Sequence, residues 1–150
     1  METPSKAILY GSAVILEEGG AVFIQGLSGS GKSDLCFRLI EAGGKLICDD
    51  QVAFERRQGK IMASAVDVIR GLLEIRGVGL VKVPVAPQTR LVLAVRLVAR
   101  EDVPRLPDWE TMDILGVAVP QLKLHAFDNS TPLKIMKAIE LVHKPELLIK

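Results

Sequence analysis

The apolar positions of this chain fall into short runs separated by glycine, proline and charge. Ala7 to Leu16 is an apolar β-segment broken at Gly11, and Glu17-Glu18-Gly19-Gly20 is turn chemistry. Ala21-Val22-Phe23-Ile24 predicts a short buried strand. From Ser33 to Ala42 the period changes. Leu35, Cys36, Leu39 and Ile40 share one helical face, Asp34 suits the N-terminal end of the helix dipole, and Gly43-Gly44 stops the helix. Lys45 to Cys48 predicts a strand running into Asp49 and Asp50. Val52 to Ala65 predicts a hairpin turning at Gln58-Gly59-Lys60. Leu72 to Val83, with Gly71, Gly77 and Gly79, is loop and strand rather than helix.

The second half continues in the same way. Arg90 to Ala99 predicts a strand in which Leu91, Leu93, Val95 and Leu97 alternate with Arg90, Val92, Ala94 and Arg96. Pro104 to Trp109 is a loop, with Trp109 packing it onto the core, and Val117 to Leu124 is a last short strand. A final helix starts at Ser130 or Thr131 as N-cap, with Pro132 in its first turn, and runs to His143 before Pro145. Its apolar residues (Leu133, Ile135, Met136, Ile139, Leu141, Val142) exceed one stripe, which suits burial on two sides and an oligomer interface. Strand, loop, helix and strand, followed by further strands, make an α/β domain with a mixed sheet.

Composition narrows the class. A chain of 150 residues is one ordinary domain, here residues 1–150, and its 49% apolar and 25% charged residues exclude a disordered chain. Nineteen basic against 18 acidic side chains leave a net charge of +1, so no electrostatic footprint for nucleic acid or an anionic membrane is present. Cys36 and Cys48 lack metal-ligand spacing and read as buried free thiols, consistent with a reducing compartment. No run approaches the ~18–20 apolar residues of a membrane span, and residues 1–6 carry no apolar leader. A soluble cytoplasmic domain is expected.

The chemistry is concentrated in Gly26-Leu27-Ser28-Gly29-Ser30-Gly31-Lys32-Ser33, which fits G-x-x-x-x-G-K-[ST] after a strand and at a helix start. Gly26, Ser28, Gly29, Ser30, Gly31, Lys32 and Ser33 are the candidate phosphate cradle. Backbone N–H groups and the helix dipole favour an anion there. Lys32 reaches the β- and γ-phosphates and the Ser33 hydroxyl takes Mg²⁺. Asp49 and Asp50 end an apolar strand seventeen positions after Lys32. Adjacent strand residues point to opposite faces, so one acid can hold metal while the other takes a proton from an attacking hydroxyl.

The close pairing of this loop with Asp49-Asp50, followed by Leu73-Glu74-Ile75-Arg76-Gly77-Val78-Gly79-Leu80, resembles the bacterial HPr kinase/phosphorylase family. The likeness is to the C-terminal catalytic domain, in a short form lacking the N-terminal domain of longer members. It is strong over residues 21–83 and weak beyond residue 100. It implies a P-loop kinase domain with a fold like phosphoenolpyruvate carboxykinase, assembled as a homohexamer. It also implies phosphoryl transfer from ATP, or pyrophosphate in some members, with Mg²⁺, to a serine of the phosphocarrier HPr. Many members also run phosphorolysis of that phosphoserine.

By that resemblance Lys32 is the phosphate-binding lysine, Ser33 a Mg²⁺ ligand and Asp50 the general base, which leaves Asp49 as the acid of the pair that holds metal. Glu74 is a second metal ligand, Arg76 orients loop or phosphate, and Arg105 is a further catalytic arginine. Three features depart from the family. Tyr10-Gly11 stands where the family carries a His-Gly pair, and tyrosine, with a pKa near ~10, is a poor proton shuttle at neutral pH. The Pro-x-x-Pro-Gly-Arg loop used for phosphorolysis has no match, the nearest segment being Pro120 to His125. The hairpin-to-signature region is short. Besides the kinase, an ATP-binding regulatory module without transfer activity and a small-molecule P-loop kinase are the alternatives.

Overall fold

The computed structural model describes residues 4–16, 19–66 and 71–150. Glu17 and Glu18 of the predicted turn lie outside them. In chain order the elements are β1 (Lys6–Tyr10), β2 (Ser12–Ile15), β3 (Ala21–Gln25), α1 (Lys32–Glu41), β4 (Lys45–Cys48), β5 (Gln51–Arg57) and β6 (Lys60–Ala65). They continue with β7 (Leu72–Ile75), β8 (Gly79–Lys82), β9 (Thr89–Leu97), β10 (Glu110–Ile114), β11 (Val117–Leu124) and α2 (Thr131–His143). Among the described residues, nine strands form one mixed sheet in the order β1-β5-β6-β9-β3-β2-β4, with β11 also on β9 and β10 on β11. The β7–β8 hairpin stands apart. No helix among the described residues is long and apolar enough to cross a membrane.

Strand β9 is the centre. It runs parallel to β3 and to β11 and antiparallel to β6. The sequence predicts alternating faces along it, but Leu91 through Val95 are all buried. A register shift explains part of this: Ala21 pairs with Leu91 and Val22 with Leu93, so β9 carries one extra residue against β3. Leu91 therefore joins Phe23 and Phe54 on one side of the sheet, while Leu93, Val95 and Leu97 join Leu35, Leu39 and Ile139 of the helices on the other. Covered on both faces, the strand reads as continuously apolar.

The break at Gly11 separates β1 from β2, as expected. A β-carbon there would stand 2.5 Å from Phe23 Cε1 and 2.8 Å from the Ile24 carbonyl, so the chain can turn there only with glycine. Phe23 meets Phe54 edge-on, with ring centroids 4.9 Å apart, directly beneath this corner. Trp109 packs half-buried against the helix-side core, and β10 follows it, a strand that the sequence pattern did not reveal.

Helix α2 begins where expected but without a side-chain cap at Ser130. The Thr131 hydroxyl instead donates to the His125 carbonyl at 2.5 Å, fastening the helix to the end of β11. Ile135, Ala138 and Ile139 are buried, whereas Leu133 is exposed, so the surplus apolar face is partly uncovered in the single chain.

Candidate active site

Strand β3 ends at Gln25 and α1 starts at Lys32, so Gly26 to Gly31 form a loop at the edge of the central β3–β9 pair. The Ser30 N–H donates to the Leu27 carbonyl at 2.9 Å, and the Leu35 N–H to the Gly31 carbonyl at 2.9 Å. Gly31 has φ +98°, and its α-carbon is backed by Ala126 and by Phe127, whose rings and methyl leave no room for a β-carbon. Lys32 Nζ folds onto the loop, donating to the Gly26 carbonyl at 2.8 Å and the Leu27 carbonyl at 3.5 Å. Ser30 Oγ is buried with no partner. A lysine satisfied by loop carbonyls and an unpaired hydroxyl at the same loop fit an anion seated over it.

Asp49 follows β4 and is 8% exposed. Its Oδ1 accepts the Ser12 hydroxyl at 2.6 Å and its Oδ2 the Ser33 hydroxyl at 3.0 Å. Loop serine and strand-end acid are thus in contact. Asp50, by contrast, is exposed, sits at φ +67°, and accepts the Gly11 N–H at 2.9 Å through its carbonyl. Partial desolvation of the carboxyl raises its pKa above the usual aspartate value. The charges of Asp49 and Glu74 raise it further, and Lys32 opposes them. The two acids face different surroundings, one held by hydroxyls and one open to an incoming group.

Glu74 is exposed on β7, close enough to act on Asp50, and the hairpin is anchored by Leu73 in the helix-side core. Arg76 is exposed at the hairpin turn. Arg105 is exposed in the loop before β10, and among the described residues no hydrogen bond or ion pair joins it to the cluster. The structure therefore brings together Lys32, Ser33, Asp49, Asp50 and Glu74, and leaves Arg105 outside their contacts.

Tyr10 is at the rim. Its side chain is 78% exposed, and its carbonyl accepts Gln25 Nε2 at 3.0 Å, tying the end of β1 to the end of β3. Sequence reading missed Gln25, Ser12 and Arg38. The Arg38 guanidinium donates to the Asp34 carboxylate at 3.0 Å, the Asp128 carbonyl at 3.2 Å and the Ala126 carbonyl, clamping α1 to the segment behind Gly31. Ser12 had a faint signal, a lone hydroxyl in an apolar run. Arg38 showed only its i, i+4 pairing with Asp34, because its carbonyl partners lie about ninety positions away.

Ser33, Asp49 and Glu74 offer hard oxygen donors, and no group of three His, Cys, Asp or Glu side chains positioned to hold a metal occurs among the described residues. A small donor set of this kind suits Mg²⁺, which takes one or two carboxylates and completes its shell with water and substrate phosphates. The cavity of about 230 Å³ beside Lys60, Arg90 and Val119 shares no residue with the loop. Both cysteines are free and buried, and burial, with the Asp49 charge next, pushes the Cys36 thiol up so that it stays protonated.

Residues 4–144 match the model of the HPr serine kinase C-terminal domain. The chain belongs to that family. It is 31% identical over 144 residues to the HPr kinase/phosphorylase of Chloroherpeton thalassium, covering 88% of this chain and 42% of that protein. It is 40% identical over 114 residues to that of Verminephrobacter eiseniae, covering 67% of this chain and 36% of that protein. The HPr kinase C-terminal domain thus spans about two-fifths of the curated relatives it matches. The solved structure of the HPr(Ser) kinase/phosphatase of Coxiella burnetii superposes with a TM-score of 0.79 at 26% identity, covering 94% of this chain and 98% of that one. The expected mixed-sheet P-loop kinase fold is the fold found.

Proposed function

We propose that this domain is a protein-serine kinase that moves the γ-phosphoryl group of ATP, with Mg²⁺, to a serine hydroxyl of an HPr-type phosphocarrier protein, regulating the phosphotransferase system. The observation that carries this reading is the contact of Ser33 in the phosphate loop with buried Asp49, while the neighbouring Asp50 stands exposed with a raised pKa. Family membership supplies the acceptor.

The residues divide the work. The loop N–H groups and Lys32 would bind and orient the β- and γ-phosphates, Lys32 exchanging its loop carbonyls for phosphate oxygens. Ser33, Asp49 and Glu74 would hold the metal. Mg²⁺, when bound, neutralises phosphate charge. Asp50 accepts the proton of the attacking serine, and its raised pKa makes it a better base than an ordinary aspartate. Tyr10, next to the Gly11–Asp50 contact, and Leu27, in the phosphate loop, are 78% and 85% exposed and suit contact with a protein acceptor. Arg105, exposed in the loop before β10, is the further catalytic arginine of this reading.

Tyr10 in the histidine position favours the kinase direction with phosphorolysis reduced, and it is also what supports the second reading, an ATP-binding regulatory module without transfer. The free thiols support a cytoplasmic location, and exposed Leu133 on α2 supports assembly into the family's oligomer. The test is nucleotide binding and transfer measured together. Lys32→Ala should lose ATP affinity and transfer, and Asp50→Asn should lose transfer while binding ATP. Binding without transfer in the unaltered protein selects the regulatory reading.

A further inference from the structure

Ser12 is a polar residue with no exposed surface in a strand whose next two residues, Ala13 and Val14, are equally buried apolar core. A hydroxyl in such a place is costly unless paired. Its hydrogen bond is to Asp49 Oδ1 at 2.6 Å, a length typical of a hydroxyl on an ionised carboxylate. Ser33 takes the other oxygen. Each oxygen of the buried acid is thus met by one hydroxyl, one from the phosphate loop's helix and one from β2.

A local irregularity produces this meeting. Strands β2 and β4 pair as Ile15 with Lys45 and Val14 with Leu46, then shift by one so that Ala13 pairs with Cys48. The bulge places Asp49, rather than Cys48, level with Ser12. Bulges re-aim side chains in this way next to working sites. The Cys36 thiol, one turn along α1 from Ser33, lies against the same hydroxyl and closes the pocket around it.

From this arrangement we infer that Ser12 is a positioning residue that fixes the carboxylate plane of Asp49, and through it the oxygen facing Ser33 and the divalent cation. The inference rests on the nucleotide and metal reading above. The terminal torsion of an aspartate is broad, so a carboxylate held at one oxygen alone can rotate away. The consequence belongs to cation dependence, not to phosphate binding, because Lys32 and the loop N–H groups are untouched.

The test uses the whole chain and a fluorescent ATP analogue, titrated with MgCl₂ and separately in EDTA. Ser12→Ala removes the hydroxyl, and Ser12→Thr and Ser12→Val form a pair of equal shape that differ in it. The Ala and Val variants should need about 10–100-fold more Mg²⁺ to reach half-maximal tightening, with affinity in EDTA unchanged and the Thr variant close to the parent. A lower melting temperature for Ser12→Ala with the parent's Mg²⁺ midpoint would make the residue merely structural and overturn the inference. So would Thr and Val variants that behave alike. Parent protein that binds the analogue without Mg²⁺ dependence overturns the inference alone. Parent protein that binds none overturns the nucleotide reading, and the inference with it.

Discussion

Replacing Gly31 by alanine should damage the protein in a way that Gly29→Ala does not, although both glycines lie in one loop and both have positive φ. At Gly31, φ is +98° and a β-carbon would stand 2.8 Å from Ala126 Cβ and 2.8 Å from Phe127 Cζ. At Gly29, φ is +80° and nothing lies within 4 Å. The left-handed backbone costs an L-residue about 1–2 kcal/mol at either site. Overpacking adds about 1–3 kcal/mol at Gly31 alone. Ala126 is 1% exposed and has no room to yield, so only the Phe127 ring can swing out. The entropy lost by the unfolded chain, about 0.4–1 kcal/mol in favour of alanine, is common to both and cancels. Gly31→Ala should therefore lose about 1–3 kcal/mol more than Gly29→Ala, read from urea unfolding midpoints at constant m-value. Equal losses would refute the packing of Phe127 and Ala126 against the loop.

Other changes follow from the same contacts. Asp50→Asn should abolish transfer yet stabilise the unliganded protein at neutral pH, since Asn tolerates the left-handed backbone at φ +67° and removes repulsion from Asp49 and Glu74. Because the folded-state pKa is raised, the folded protein binds this proton more tightly than the unfolded chain, and stability falls as pH rises through the raised value. The advantage of Asp50→Asn should accordingly shrink toward zero as pH falls to the ordinary aspartate range, and an advantage independent of pH would contradict it. Arg38→Ala should cost about 2–3 kcal/mol in urea unfolding, and Arg38→Lys should recover less than half of it, because an ammonium cannot span Asp34, Ala126 and Asp128 together. Full recovery by lysine would show that charge alone matters there. Phe54→Ala, which empties the space against Phe23, should cost about 3–5 kcal/mol and leave nucleotide affinity unchanged when measured well below the melting temperature.

What the sequence made legible was local. The phosphate loop, the helix it opens, the acid pair and the β5–β6 hairpin each declare themselves within a few residues, because glycine, proline and period-two or period-3.6 patterns act at short range. The contacts that complete the site act at long range. Ser12 meets Asp49 because a bulge between β2 and β4 advances the register by one, and no window of sequence shows which of two strands will carry the extra residue. Leu91 leaves the face of Leu93 for the same kind of reason. Arg38 reaches the Ala126 and Asp128 carbonyls between β11 and α2, partners that no local pattern of sequence reveals. Arg105 was legible only through the family resemblance, and in the folded chain it is exposed in the loop before β10 without a contact to the acids.

The most direct test of the central claim is intact-mass analysis of an HPr-type protein after incubation with this chain, ATP and Mg²⁺, beside Asp50→Asn and Lys32→Ala. The expected result is a gain of one phosphate, located on a serine, that both variants lose. An unmodified HPr-type protein in the presence of chain that demonstrably binds ATP would contradict the kinase reading.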